Sequence, residues 1–366
     1  MKFASRSSSG IWSAPVQLSA ATAASAVAPG SARMDVHPTN GRVTVVWQQG
    51  AIITNQIYYT TNRSGTFAPA VIISTTDGEP GIRPDVLVDA GDNAHIVWTV
   101  RSSPRRVVYK GVFGGTVDSA ETGVSNSNGH SSDESDYVPE GMTLLPPATG
   151  NQTLAVAYLA SIGGVSQVLY AQRPPGAGQT FGTIVDVSRD DTGAHPAGTA
   201  DDRPRIALNS RGDLEVLWVN IGIAGVRNVR GNARGAGGSF KSNSDNLTRV
   251  STGDSSSATA PCDIWQMPTL DGAGCLHIFW EVRPGGATNS YVHRYFAPIG
   301  VDPSTIVAKD VATTGVLAGL HQLRAGLDLL DDLHVVWEQE TYGAARDIMY
   351  SHRTAGLAGS FQSAAT

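Results

Sequence analysis

Cysteine, lysine and charge in general are scarce in this sequence. Only Cys262 and Cys275 are present in 366 residues. On the repeat set out below they open two neighbouring antiparallel strands, which a hairpin holds roughly 20 Å apart, beyond the reach of a disulfide, so free thiols are expected. Charged residues make up 16%, with a net charge of -6 and a pI near 5.8. That balance leaves no global basic surface, which argues against a nucleic-acid partner. Lys2, Lys110, Lys241 and Lys309 are the lysines, so 22 of the 26 cations are arginines; arginine's rigid fork suits carboxylate recognition. Long apolar runs are missing too. Lys2 and Arg6 precede the polar "SSSG" of residues 7–10 with no apolar stretch behind them, so no signal peptide is visible and no membrane insertion is expected. A cytoplasmic, virion-associated or leader-trimmed location all stay open.

What the sequence has is glycine, 41 residues, spread between short apolar runs together with 19 prolines. That is the punctuation of many short strands. Alternating runs end on Trp47, Trp98, Tyr158, Trp218, Trp280 and Trp337, at spacings of 51, 60, 60, 62 and 57 residues. Such a period fits a small sheet with its loops rather than a helical solenoid. An earlier run precedes each one ("RPDVLVD", "RPRIALN"), joined by a short Gly/Asn/Asp turn. A third follows about ten residues later ("QIYYTT", "QVLYAQ"), and a fourth in most units, such as "GTFAPAVIIS" at 65–74. Four-stranded antiparallel meanders repeated six times predict an all-β, six-bladed β-propeller, in which each blade buries its faces against its neighbours. A single domain over 1–366 is expected, with blades at about 29–76, 80–126, 136–189, 200–251, 260–314 and 320–358. "GIWSAPVQLS" at 10–19 matches the fourth-strand pattern ahead of the first unit and is assigned to close the last blade, covering edges that invite aggregation. The shorter "GSFQSAAT" at 359–366 competes for that slot.

The blade sequence "VTVVW" followed by "IYYTTNRSGTF" resembles the sialidase superfamily and its bacterial-neuraminidase repeats. Thr60, Asn62, Thr66 and Phe67 stand in the Ser, Asp, Thr and Trp places of the Asp box that joins third and fourth strands. Ser64 replaces the box glycine, and "RPPGAGQTF", "NARGAGGSF" and "HRTAGLAGSF" keep only the small residues and the phenylalanine. The resemblance implies a glycan-directed propeller that binds, and in the catalytic members hydrolyses, an acidic sugar at a central funnel.

In a propeller, inner-strand starts and second-strand ends converge on one face. The sequence puts Arg33, Arg83, Arg203 and Arg324 at or next to the former, and Gln48, Arg101, Glu281, Arg283, Glu338 and Glu340 at the latter. Arg83, Arg203, Arg324, Arg101, Arg283 and Gln48 are therefore candidate ligands of an acidic group. "IRPD" at 82–85 and "DRPR" at 202–205 are similar to the family's Arg-Ile-Pro motif, although "RP" can equally be structural, its arginine pairing with a carboxylate of the next blade. The resemblance further implies a tyrosine nucleophile with carboxylate assistance; Glu281 and Glu338 are the candidate carboxylates, with Tyr342 or Tyr291 nearby, and neighbouring-blade ion pairs as the competing role. His95, His277 and His334, each three residues before the blade tryptophan, are read as packing or hairpin residues. The carboxylates of 118–137 lack the spacing of a calcium loop. No metal or cofactor is expected, and the protein is expected to act as a monomer on a glycan or other small acidic ligand. The second reading is a non-catalytic lectin, receptor-binding or scaffold propeller.

Overall fold

The computed structural model describes residues 1–5, 11–19, 32–37, 39–50, 54–74, 79–101, 105–125, 141–145, 152–162, 165–189, 200–208, 212–221, 227–246, 269–270, 276–282, 290–296, 309–313, 319–328, 332–340 and 346–354. Among them there are strands and turns but no helix. The chain divides into two compact units, residues 1–156 with 171–184, and residues 157–170 with 185–366.

In the first unit β1 (Lys2–Phe3) pairs with β2 (Val16–Gln17). One sheet runs β3 (Arg33–Val36), β4 (Val43–Gln49), β5 (Gln56–Thr61), β6 (Val71–Ile72). The next contains β7 (Gly81–Val88), β8 (Ala94–Val100) and β9 (Arg106–Phe113), whose outer edge is shared by β10 (Thr116–Val117) and β11 (Thr122–Gly123). β12 (Gly141–Leu145), β13 (Thr153–Ile162), β14 (Val165–Arg173) and β15 (Val185–Asp186) form a sheet through which the division passes. The second unit holds β16 (Ala200–Leu208), β17 (Leu214–Ile221), β18 (Arg227–Arg234) and β19 (Asp245–Asn246) in one sheet. β20 (Thr269–Leu270), β21 (Leu276–Val282), β22 (Ser290–Phe296) and β23 (Lys309–Thr313) form another. The last contains β24 (Gly319–Leu327), β25 (Leu333–Glu340) and β26 (Arg346–Arg353). The pairings among the described strands are antiparallel, and apart from β9 with β11 they join sequential neighbours, as short Gly/Asn/Asp turns allow.

β4 and β8 are buried at all seven positions because side chains on both faces meet apolar partners. Between the first two four-strand-type sheets, Val46, Ile57, Tyr59 and Ile73 pack with Val86, Ile96, Trp98, Val100 and Val108. Gly81 sits at their closest approach: its N–H reaches Asn55 O at 2.9 Å, and a Cβ there would lie 2.7 Å from Ile57 Cγ1. In the second unit Phe279 packs with Leu333, Val335 and Trp337.

The closing-strand assignment of residues 10–19 needs correction. The hydrogen-bonded partner of β2 is β1, and Leu18 packs with Val43, Val45 and Trp47 of the first sheet. "KF" at 2–3 offers a nearby strand at a small loop-closure cost. The competing segment 359–366 lies outside the described residues.

The third-to-fourth-strand turns follow two chemistries. At Asn62 the side-chain carbonyl accepts the Val43 N–H at 2.6 Å, Thr60 Oγ1 donates to Ala68 O at 2.7 Å, and Gly65 takes φ +94°. These two bonds and the left-handed glycine close the turn that joins β5 to β6. β14 and β18 end instead on Arg173 and Arg234, which stand where Asn62 stands. The Arg173 guanidinium is 1% exposed; Nε donates to Gln179 O (3.0 Å), Nη1 to Pro174 O (3.2 Å) and Nη2 to Gly176 O (2.8 Å), tying the turn by its carbonyls. Its Cζ lies 4.4 Å from the ring centroid of Tyr109 in the preceding sheet, and Phe181 meets the same ring edge-on at 5.8 Å. Burial pushes the Tyr109 hydroxyl pKa up and the Arg173 pKa down. Arg234 repeats the arrangement over Tyr170, donating to Gly238 O at 3.2 Å and to the Tyr170 hydroxyl at 3.0 Å, beside Phe240.

Candidate active site at the sheet ends

β7 carries an irregularity that the alternating pattern conceals. Ile82 pairs with Thr99 and Asp85 with Val97, so Arg83 and Pro84 together face Trp98. This is a β-bulge, the place within a sheet where proline is tolerated. β16 repeats it with Arg203 and Pro204 facing Trp218, and β24 with Gln322 and Leu323 facing Trp337. Arg83 and Arg203 thus hold the same position in their own sheets. Arg324, expected to match them, pairs with Val336 and takes the position of Asp85 and Arg205.

Arg83 is left-handed, with φ +52°. A non-glycine residue pays about 1–2 kcal/mol for that conformation, and a following proline restricts it further. The conformation persists because the next sheet over-determines it: the buried Gln48 Oε1 accepts the Arg83 N–H at 2.9 Å. Gln48 therefore acts on the backbone of its neighbour and positions the bulge. Other hydrogen bonds tie the same two sheets, among them Val88 N–H to Asp35 Oδ2 at 2.7 Å and Lys110 Nζ to Ile73 O at 2.8 Å. Arg101 is exposed just past the end of β8, its N–H bonded to Pro80 O at 2.8 Å. Arg106 opens β9 and forms an ion pair with Glu79 at 2.5 Å. Arg33 opens β3, exposed.

Glu281 and Glu338 each follow a blade tryptophan by one residue and so have the backbone register of Gln48; they pair with Tyr291 and Ile348. The backbones of Arg203, Arg324, Glu281, Glu338 and Glu340 lie in β16, β24, β21 and β25. Arg283, Tyr342, Cys262 and Cys275 lie outside the described residues.

The histidines take part in hairpins. His95 Nδ1 lies 3.0 Å from the Tyr109 hydroxyl and Nε2 3.3 Å from Asp89 Oδ2; His334 repeats this with Tyr350 at 2.8 Å and Asp328 at 3.3 Å. Burial raises the Asp89 pKa, but hydrogen bonds from His95 and Asn93 outweigh it and hold the carboxyl at about 2. No group of three His, Cys, Asp or Glu among the described residues is placed to hold a metal. Sequence reasoning missed the bulges, although Pro84 and Pro204 inside strands signalled two of them. It also missed that the indole N–H of Trp98, Trp218 and Trp337, each opposite a bulge, is buried without a partner, whereas that of Trp47 meets Gln49 Oε1 at 3.0 Å.

The fold these sheets define is a β-propeller with blades of antiparallel strands. It is similar to a protein of unknown function from Dyadobacter fermentans (TM-score 0.52, 11% identity, 88% of this chain and 93% of that one). It is also similar to an ulvan lyase, a polysaccharide lyase solved with bound -[GlcA(1-4)Rha3S]- (TM-score 0.50, 10% identity, 90% and 80%). A leech intramolecular trans-sialidase complexed with 2,7-anhydro-Neu5Ac aligns at TM-score 0.47 and 8% identity over 88% of this chain and 67% of that one. No family model matches the sequence, and no curated protein matches it.

Proposed function

We propose that the chain is a glycan-directed propeller of six blades whose ligand is an acidic saccharide, bound where the inner strands begin. The observation that carries the reading is Arg83. A strained, left-handed arginine, fixed through its N–H by a buried glutamine of the next sheet, is the kind of local cost that folds keep at ligand clamps. The bulge fixes the backbone from which the Arg83 side chain springs, and a guanidinium has the planar fork that suits a carboxylate. Arg203 has the same place in its own sheet, with Arg324, Arg101 and Arg283 as further cations. The ulvan lyase with its bound -[GlcA(1-4)Rha3S]- is a propeller of this general fold and is a parallel for the ligand class.

Hydrolysis is the stronger form of the proposal, with Glu281 and Glu338 as the assisting carboxylates. Binding without turnover is the second form. It is favoured by Gln48, which at their shared register spends its side chain on holding the next sheet. The test is release of 4-methylumbelliferone from a sialoside and of reducing ends from acidic polysaccharides, using protein that is folded by circular dichroism. Turnover that disappears in Glu281→Gln or Glu338→Gln supports hydrolysis. Binding without turnover supports the second form, and neither binding nor turnover removes the proposal.

A further inference from the structure

The turn that joins β3 to β4 holds reactive chemistry outside the proposed ligand site. Among the described residues Asn40 is the asparagine followed by glycine; the others are each followed by a residue with a side chain. Asn40 and Gly41 are both exposed. Gly41 is left-handed at φ +68°, and a Cβ placed on it would meet nothing within 4 Å, so the space beside it is open to water.

The Asn40 side chain is already turned back along the main chain, its Oδ1 accepting the Arg42 N–H at 2.9 Å. Such an Asx turn brings the side-chain carbonyl carbon up to the intervening Gly41 peptide. It also keeps a backbone donor on the oxygen that becomes negative when that carbon is attacked. Buried His37 steadies the turn from inside, its Nδ1 accepting the N–H of Thr39 at 3.2 Å and of Asn40 at 3.4 Å. The bond from Gly41 N–H to His37 O, 3.1 Å long, opposes reaction and must open before the nitrogen attacks.

We propose that Asn40 deamidates spontaneously through a succinimide with Gly41, and that the isoaspartate formed there loosens the β3–β4 hairpin. The Gly41 nitrogen attacks Asn40 Cγ; a C–N bond forms, the Cγ–Nδ2 bond breaks, and ammonia leaves with the proton of the Gly41 N–H. Water then opens the ring. Addition at Cγ gives aspartate, and addition at the main-chain carbonyl gives isoaspartate, whose main chain runs through Cγ and is longer by one methylene. The net change is a water taken up and an ammonia released, with nothing oxidised or reduced. The added methylene falls inside the loop closed by His37 N–H to Arg42 O at 2.8 Å, beside the pair of Val36 with Val43. It also lies next to Arg42, whose guanidinium pairs with Asp92 of the second sheet, and the free carboxylate of isoaspartate competes for that guanidinium. This chemistry is independent of any ligand.

The experiment ages the folded full chain at neutral and at mildly alkaline pH and digests it with trypsin, which cuts after Arg33 and Arg42 and releases residues 34–42. Mass spectrometry is expected to show that peptide gaining the mass of an amide-to-acid exchange, split into aspartate and isoaspartate forms. The gain is expected to be faster at the higher pH, because the attacking nitrogen must lose its proton. An unaged digest sets the background. Residues 242–249 are the internal control: Ser244, which follows Asn243, is buried and donates its N–H to Arg189 O at 2.7 Å, so that peptide is expected to stay unchanged. Asn40→Gln and Gly41→Ala are each expected to lose most of the product, with circular dichroism to check that both are folded. Asn40→Asp, which has the new charge without the methylene, is expected to keep the thermal midpoint of fresh protein, while the isoaspartate fraction melts lower. The site is overturned if residues 34–42 change no faster than residues 242–249, or if Asn40→Gln and Gly41→Ala form product as the wild type does. An isoaspartate fraction that melts together with Asn40→Asp overturns the loosening.

Discussion

Replacing Arg173 by methionine separates two accounts of how successive sheets are held together. The guanidinium is 1% exposed, donates to three carbonyls and stacks on Tyr109. Methionine fills most of the volume but does none of this. Each charged bond contributes about 1.5 kcal/mol at the lower end of the range for ionised donors, and the stacked cation about 2 kcal/mol when desolvated. Against these, the mutant no longer buries a cation, which returns several kcal/mol, and the partly exposed carbonyls regain water. A net loss of about 3 kcal/mol is expected in urea unfolding followed by tryptophan fluorescence. Arg173→Lys should lose less, because an ammonium keeps the charge but not the planar stack. A double-mutant cycle with Tyr109→Leu isolates the stacking, with an expected coupling of about 1–2 kcal/mol. If Arg173→Met unfolds within about 0.5 kcal/mol of wild type, or the two substitutions simply add, the arginine is a passenger and the reasoning fails.

Gly81→Ala should cost about 1–3 kcal/mol, because the new methyl meets Ile57 Cγ1 at 2.7 Å between two packed sheets; a thermal midpoint equal to wild type would refute the close approach. Asp89 predicts acid sensitivity. Its pKa falls from 3.8 to about 2 on folding, so its contribution of about 2 kcal/mol is fully present above pH 3.8 and is lost as pH falls towards 2. Asp89→Asn should flatten the stability profile in that window, and an unchanged profile contradicts the hydrogen-bond network. Arg83→Asn places a residue that tolerates φ +52° at the bulge, so stability is expected to hold or rise in urea unfolding, and a loss above about 1 kcal/mol would show that the arginine side chain is structural.

The sheet modules were legible from the recurring aromatic positions because a strand buried on both faces has room for large apolar side chains inside it, and Trp47, Trp98, Trp218 and Trp337 are each at most 1% exposed. The turn after β5 was legible because Asn62, Ser64 and Gly65, all turn residues, lie together in sequence. The arginine turns were not: Arg173 does the work of an acidic residue by bonding carbonyls instead of N–H groups, and its aromatic partner Tyr109 is remote in sequence. Arg324 takes another position because it lies 13 residues before its tryptophan where Arg83 and Arg203 lie 15 before theirs; β24 carries the same bulge, but Gln322–Leu323 has no proline to announce it. Gln48 looked like a ligand residue by position alone; that its oxygen serves a neighbouring backbone N–H requires the packed sheets.

The central claim is that the arginine at the first of these bulges recognises an acidic saccharide. Its most direct measurement is calorimetric titration of the folded chain with matched acidic and neutral oligosaccharides, repeated with Arg83→Asn. Binding of the acidic member alone, lost in a variant as stable as the wild type, is the predicted result. Equal affinity for both sugars, or acidic binding undiminished without Arg83, contradicts it.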